Sequence, residues 1–291
     1  CGLVHTKEPF PRLFNQGMIL AYSYRDARGR YYHPSEVEEL SEGKAVARGD
    51  GQPLAVQVEK MSKSKLNVVN PDDVVAQYGA DAMRLYELFM GPLEVQKPWQ
   101  MKGVEGVYRF LQRVWRLVVD ERTGELSARL VDDPAGAAPD LERTLHKTVK
   151  KVTEDTESLQ MNTAIAQMMI FVNEATAAQA LPREILDTFL RVLAPYAPHL
   201  CEELWRRLGG RRLIAHAEWP TWDEALTVDE LIPIVVQVNG KKRDELQVPP
   251  ETGQDTLERM ALASDGAQRH LEGRQPRRII VVPGRLVNIV G

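Results

Sequence analysis

The sequence predicts three successive architectures: an α/β segment, an all-α helical bundle, and a small α+β module in the order β-β-α-β-β. Short apolar stretches separated by turn residues predict strands up to about residue 60. From Pro71 to about residue 204, apolar residues recur every three or four positions, which is typical of helices that bury one face. After Trp219-Pro220 the alternation of strands returns, interrupted at Asn239-Gly240 by a strong signal for a tight hairpin.

The first segment is predicted to contain strands at Met18–Ala21, Tyr31–Tyr32 and 54–58, with turns at 27–30 and 49–51. Arg48-Gly49-Asp50 is interpreted as part of a turn and not as an adhesion motif. Asn70 is predicted to cap a helix whose first turn holds a proline and two aspartates, the residue types suited to a helix N-terminus. Gly79 is expected to end that helix, and Asp81 to begin the next.

Four longer helices are predicted in the middle of the chain. The first covers apolar residues from Val107 to Leu117, and the others begin near residues 140, 162 and 182. The fourth helix is expected to run to Leu204. The Ala/Gly/Pro-rich stretch 132–139 is predicted to be a loop. The aromatic residues of these helices fall in apolar stripes, so we expect core packing and not a stacking platform for single-stranded RNA; they are Tyr108, Phe110, Trp115 and Trp205. Cys201 is expected to be buried.

The last segment is predicted to contain a hairpin, one helix and two further strands. The hairpin joins strands at 234–238 and 245–248, the helix covers 254–264, and the final strands cover 279–282 and 285–289.

Composition narrows the classes of function. The 291 residues carry 37 Lys/Arg and 41 Asp/Glu, a net charge of −4, so a uniformly basic nucleic-acid binder is excluded and any RNA contact must be local. Residues 231–291 carry nine Lys/Arg against seven Asp/Glu, net +2, which makes this end the more favourable for RNA.

The same composition argues against secretion, membranes and a metal held by this chain. No apolar run is long enough to span a bilayer, no secretory signal is present, and there is no initiator Met, so we expect a cytoplasmic piece of a longer protein without membrane contact. Two cysteines cannot form a disulfide framework or a four-cysteine zinc site. The histidines do not pair with a Cys or a carboxylate at ligand spacing; they are His5, His33, His146, His199, His216 and His270.

The strongest chemical signal is Lys60-Met61-Ser62-Lys63-Ser64. Lysine and serine are common in flexible loops, but here an extended segment enters and a capped helix follows. Two ammonium groups three residues apart can follow the charge of a triphosphate, while serine hydroxyls and loop amides add hydrogen bonds. When a carboxylate attacks the α-phosphate of ATP, charge builds on the departing pyrophosphate. A lysine that engages this charge mainly in the transition state accelerates the step.

This motif resembles the second signature of class I aminoacyl-tRNA synthetases, and neighbouring blocks resemble leucyl-tRNA synthetases of the bacterial type. The resemblance extends from residue 13 to the terminal strands, and the order and spacing of the blocks make it specific. The blocks are Leu13–Ile19, Asn70–Asp72, Tyr78–Asp81, Trp99 with Gly103–Gly106, Arg109–Leu111, and Val238–Lys241.

The resemblance implies a function and a domain plan. Residues 1–95 would complete a Rossmann-like catalytic domain, residues 96–222 would form the anticodon-binding-type bundle, and residues 231–291 would form a tRNA-binding domain. The parent enzyme would activate leucine with ATP, which arrives with Mg²⁺, and transfer it to tRNA(Leu). Lys60 and Lys63 would serve the chemistry, and the nucleotide would contact all five residues of the motif: Lys60, Met61, Ser62, Lys63 and Ser64.

The family's first signature, with its paired histidines, is absent, as are the editing domain and most of the leucine pocket. The leucine-specific insertion would be reduced to residues 29–59. We therefore expect the N-terminal catalytic and editing part, in the same or a separate chain, to be a necessary partner, and the 291 residues alone to be inactive.

Contacts with tRNA are expected from cations of the terminal module. Three follow the hairpin turn directly, and three more lie around the last two strands; they are Lys241, Lys242, Arg243, Arg277, Arg278 and Arg285. Phosphate contacts of this kind position an RNA without reading its bases, which suits the outer corner of a tRNA.

Two alternatives remain open from the sequence. One is another class I enzyme with the same lysine motif, for valine, isoleucine or methionine. The other is a non-catalytic tRNA-binding subunit of a split synthetase, and the reading frame upstream of Cys1 would distinguish this from a fragment.

Overall fold

The chain forms two compact units, Cys1–Trp222 and Asp223–Gly291. A computed structural model describes residues 2, 5–8, 10–41, 43–132, 138–228, 231–271 and 275–291. Most of the predicted loop at 132–139 lies outside the described residues.

The first unit begins with a mainly antiparallel sheet. Its strands are β1 Ile19–Arg25, β2 Tyr31–Tyr32, β3 Val37–Ser41, β4 Lys44–Ala47, β5 Pro53–Lys60 and β6 Lys97–Pro98. The order is β2-β1-β5-β4-β3, and β6 runs parallel to β1. This arrangement confirms the strands expected before residue 60. Because β1 and β6 are the only parallel pair in the described sheet, the segment does not by itself form the parallel layer of a Rossmann-like domain.

Two helices, α1 (Pro71–Tyr78) and α2 (Ala80–Phe89), follow β5. Asn70 caps α1 as predicted, since its side-chain oxygen accepts a hydrogen bond from the Asp72 amide at 3.2 Å. Gly79 separates the helices with φ of 86°, a conformation that favours glycine. The buried side chains of α2 belong to the same hydrophobic core as the bundle.

The bundle contains five helices in the described residues, one more than predicted. They are α3 Met101–Val118, α4 Pro139–Glu157, α5 Met161–Ala177, α6 Arg183–Leu193 and α7 Pro198–Arg207. The fourth predicted helix is wrong as one element, because it divides into α6 and α7 between Leu193 and Pro198. Pro195 and Pro198 have no amide hydrogen to continue the helical ladder, and Pro198 occupies the first turn of α7 instead. Two short parallel strands, β7 (Leu130–Val131) and β8 (Leu181–Pro182), lie beside the helices.

The predictions of burial within the bundle are confirmed. Phe110 is buried, and Tyr108, Trp115 and Trp205 are partly buried against the main core. Cys201 has no exposed surface, and burial raises the pKa of its thiol well above the ordinary value.

In its described residues the second unit begins with a short helix, α8 (Glu224–Thr227). The elements that follow are β9 Ile232–Val238, β10 Lys241–Val248, α9 Gln254–Ala263, α10 Asp265–Leu271, β11 Arg278–Val282 and β12 Leu286–Val290. The four strands form a sheet in the order β10-β9-β12-β11. The expectation of a single helix beside these strands is wrong, because the extended backbone of Ser264 ends α9 and Asp265 begins α10.

In the part of the chain that the structure describes, no helix has the length and apolar character needed to cross a bilayer.

Candidate functional site

The lysine motif forms the exposed exit from β5. Lys60 ends the strand opposite Leu20, and Lys63–Lys65 form one turn of 3-10 helix. Leu66 then takes a left-handed conformation, φ 55°, which closes the turn. Lys60, Lys63 and Ser64 are exposed, whereas Met61 packs against the main core. The motif is therefore fixed at one apolar residue and open to solvent at its charged ones.

A buried asparagine holds the loop from inside. The Ser62 amide donates a hydrogen bond of 2.8 Å to Oδ1 of Asn67, which is 3% exposed. The hydroxyls of Ser62 and Ser64 are 2.9 Å apart. Nδ2 of Asn67 is buried without a partner among the described residues. These contacts give the loop a defined shape before any nucleotide is bound.

An ion pair closes the loop at its base. Lys65 Nζ lies 2.7 Å from Oε1 of Glu59, and both side chains are mostly shielded from solvent. Ser23 of the neighbouring strand donates to the other carboxylate oxygen of Glu59. The hydrogen bonds from Lys65 and Ser23 lower the pKa of Glu59. This pair was not predicted, although two opposite charges directly flank the motif in the sequence.

Residues of α2 anchor the segment that follows the loop. Oδ2 of Asp81 accepts the Leu200 amide at 2.7 Å, and Oδ1 lies 2.7 Å from Nδ1 of His199, so this carboxylate caps α7. Arg84 donates two hydrogen bonds, of 3.0 and 2.9 Å, to the Pro195 carbonyl. Both contacts link residues more than 100 positions apart and could not be found from sequence spacing.

The arrangement leaves two cations for an external anion. Among the described residues the side chains of Lys60 and Lys63 have no ion pair or hydrogen bond, whereas the side chain of Lys65 is paired with Glu59. Exposed ammonium groups beside loop amides and hydroxyls can bind the oxygens of a polyphosphate.

The other predicted site begins at the β9–β10 hairpin. Asn239 and Gly240 both have positive φ, 52° and 77°, as a two-residue hairpin turn requires. Three exposed cations follow; they are Lys241, Lys242 and Arg243. Lys242 pairs with Glu245 at 2.7 Å. Asp244 accepts a hydrogen bond of 2.7 Å from the Gly266 amide and thereby caps α10. It forms no ion pair in the described part of the unit.

Strand register places five of the six predicted cations at one end of this sheet. Arg278 pairs with Val290, so β11 begins beside the end of β12. The Asn239 amide donates a hydrogen bond to the Ile289 carbonyl, so the β9–β10 hairpin turn also lies beside the end of β12. Arg277 and Arg278 therefore lie at the hairpin end, as Lys241, Lys242 and Arg243 do. Strands β10 and β11 are the two edges, three strand spacings or ~14 Å apart.

Arg285 lies at the opposite end of the sheet. It precedes Leu286, the first residue of β12, which pairs with Val235 in the middle of β9. The distance along the strand to Ile289 is four residues, or ~13 Å. The structure thus separates Arg285 from the other five cations.

Two family models match the chain. A model described as tRNA synthetases class I (I, L, M and V) matches residues 50–95, which include the lysine motif and both following helices. A model described as the anticodon-binding domain of tRNA ligase matches residues 140–258.

Curated relatives indicate which of the class I enzymes the chain is similar to. The chain is 51% identical to leucine–tRNA ligase 1 of Rhizobium johnstonii, over 99% of this chain and 34% of the relative. It is 46% identical to leucine–tRNA ligase of Treponema pallidum, again over 99% and 34% of the two lengths. The chain is similar to leucyl-tRNA synthetases along nearly its whole length. A solved ternary complex of Agrobacterium radiobacter K84 LeuRS with tRNA and LeuAMS is similar in fold, with a TM-score of 0.61 and 29% identity over 98% of this chain and 34% of that one.

Both curated relatives are leucine enzymes, so the similarity does not favour a valyl, isoleucyl or methionyl enzyme. The chain spans about a third of the length of the curated relatives it matches. Within the described ranges, no group of three or more His, Cys, Asp or Glu side chains could hold a metal ion.

Proposed function

We propose that this chain supplies the nucleotide-binding lysine loop and the tRNA-binding segments of a leucine–tRNA ligase. The observation that carries the proposal is the loop itself: Lys60 and Lys63 are exposed on a shaped turn, inside a region that matches the class I synthetase model. The proposed division places a catalytic segment at residues 1–95, a bundle at 96–222 and a tRNA-binding module at 231–291.

In the proposed reaction, the leucine carboxylate attacks the α-phosphate of ATP and forms leucyl-adenylate, while the bond to the β-phosphate breaks and pyrophosphate leaves. A tRNA ribose hydroxyl then attacks the leucyl carbonyl and AMP leaves. Lys63 and Lys60 stabilise the charge that builds on the leaving pyrophosphate. Met61, Ser62 and Ser64 shape the loop and add hydrogen bonds to the phosphates. Mg²⁺ would accompany the nucleotide as part of the substrate, where it would help to neutralise the phosphate charge.

The proposed RNA contact is the hairpin end of the second unit's sheet. Lys241, Arg243, Arg277 and Arg278 are exposed there and have no ion pair in the described residues. Phosphates bound by such cations fix the position of a tRNA and leave its sequence unread. Arg285 would contact a different stretch of the RNA backbone, because it lies at the other end of the sheet.

The remaining parts of the proposal concern partner and location. The relatives are about three times as long as this chain, so we propose that catalysis requires the N-terminal catalytic and editing part of the enzyme. An enzyme that supplies aminoacyl-tRNA to ribosomes works in the cytoplasm, which is the location we propose.

The test is Lys63→Ala in the complete enzyme, measured by leucine-dependent exchange of pyrophosphate into ATP. We expect kcat to fall roughly a hundredfold, because a transition-state charge partner is lost. The KM for leucine should hardly change. Lys44→Ala is a matched control, since Lys44 is exposed on β4 away from the loop. Weakened leucine binding with intact exchange would refute the assigned role.

A further inference from the structure

We propose that Glu59 and Lys65 form a positioning clamp that sets the shape of the lysine loop for catalysis. The inference rests on the proposed function and adds residues that the motif itself does not contain. These two residues are the immediate neighbours of the five-residue motif, one on each side.

The clamp closes the base of the loop by joining Glu59, just before the motif, to Lys65, just after it. Glu59 is fixed on β5, opposite Ala21 of β1, and Ser23 donates to its second oxygen. Lys65 ends the 3-10 turn and reaches back 2.7 Å to the same carboxylate. The ion pair therefore joins the start and the end of the loop, so the path of residues 60–64 between them is constrained.

Burial separates Lys65 from the other two lysines. Its side chain is 29% exposed and that of Glu59 is 22%, whereas Lys60 and Lys63 are exposed and have no ion pair in the described residues. A lysine held by a shielded carboxylate must break that pair before it can bind a phosphate. We therefore assign Lys65 to loop shape, and Lys60 and Lys63 to the nucleotide.

A second contact supports the same division. Asn67 lies two residues after Lys65, is almost fully buried, and holds the Ser62 amide at 2.8 Å. The loop is thus tied both outside the motif, at residues 59 and 65, and inside it, at residue 62. Neither tie uses the ammonium groups of Lys60 or Lys63.

The experiment is a charge-exchange cycle in the complete enzyme, using Glu59→Gln, Glu59→Lys, Lys65→Glu and the double variant Glu59→Lys/Lys65→Glu. The readouts are kcat and KM for ATP and leucine in pyrophosphate exchange, together with the midpoint of thermal unfolding. We expect each single variant to lower kcat roughly tenfold to a hundredfold, the scale for a displaced catalytic loop. The KM for leucine should stay constant, and the double variant should recover to within about threefold of wild type.

Each other outcome overturns the clamp. If Lys65 bound phosphate directly, Lys65→Glu would lower kcat strongly and Glu59→Gln would lower it only slightly. The double variant would then keep the low kcat of Lys65→Glu. If the pair served stability alone, the unfolding midpoint would fall while kcat at 25 °C stayed at the wild-type value. The proposed function is tested independently, because it predicts that Lys63→Ala loses the pyrophosphate exchange that the wild-type enzyme shows. Failure of the clamp is therefore distinguishable from failure of that function.

Discussion

Replacing Asp81 with Ala should destabilise the first unit strongly, because one carboxylate serves three donors. It accepts the amides of His199 and Leu200 at 3.3 and 2.7 Å and lies 2.7 Å from Nδ1 of His199. Losing an N-terminal cap costs ~1 kcal/mol, and a hydrogen bond to a charged group contributes ~1.5–3 kcal/mol. Since the side chain is only 10% exposed, water replaces these bonds poorly. We expect the free energy of unfolding to fall by about 2–4 kcal/mol.

The measurement is thermal and denaturant unfolding of the purified protein. For a unit of this size each kcal/mol lowers Tm by ~2–4 °C, so the expected shift is roughly 5–15 °C. Asp81→Asn keeps one acceptor oxygen and should give an intermediate value.

Asp73→Ala is the matched control, because Asp73 is also an aspartate in the first turn of a helix but is exposed. It should cost no more than about 1 kcal/mol, the contribution of a charge at a helix terminus. Equal unfolding free energies for the two alanine variants would refute the capping argument.

Three further predictions concern catalysis, RNA binding and pH. The isolated 291 residues should show no leucine-dependent pyrophosphate exchange, and exchange above a no-protein control would contradict this. Replacing Lys241, Lys242 and Arg243 with Glu should weaken tRNA binding by the complete enzyme and flatten its salt dependence, because fewer counterions are released; superimposable salt titrations would return these cations to a solubilising role. The hydrogen bond from the Gly266 amide holds the pKa of Asp244 below its ordinary value of 3.8. The stability it contributes is therefore present above about pH 4 and is lost as the pH falls through the folded-state pKa. Acid unfolding of the second unit should show this loss, and Asp244→Asn should remove it.

Local signals predicted local structure well. Asn70-Pro71 marked the start of α1, and Asn239-Gly240 marked the hairpin, because a cap and a two-residue turn depend on neighbouring residues alone. The break at Pro195 and Pro198 was also visible in the sequence. The prediction of one helix there followed the apolar spacing and ignored the missing amide hydrogens.

Long-range partners could not be predicted in the same way. The parallel pairing of β12 with β9 places Arg285 away from Lys241 of the β9–β10 hairpin, and no spacing in the sequence encodes that register. The capping of α7 by Asp81 joins residues 118 positions apart. For the lysine loop, residue types indicated phosphate chemistry, but which lysine is free and which is paired became clear only from the distances.

The shared hydrophobic core has a consequence for exchanging parts between synthetases. Ala82, Leu85 and Tyr86 of α2 lie in one cluster with Val104 and Val107 of α3, and all five are almost fully buried. A chimaera that joins a lysine loop and its two helices from one enzyme to the bundle of another would have to match both sides of this contact. We expect such grafts to succeed only when the junction lies upstream of β5, so that loop and bundle are inherited together as one recombination unit.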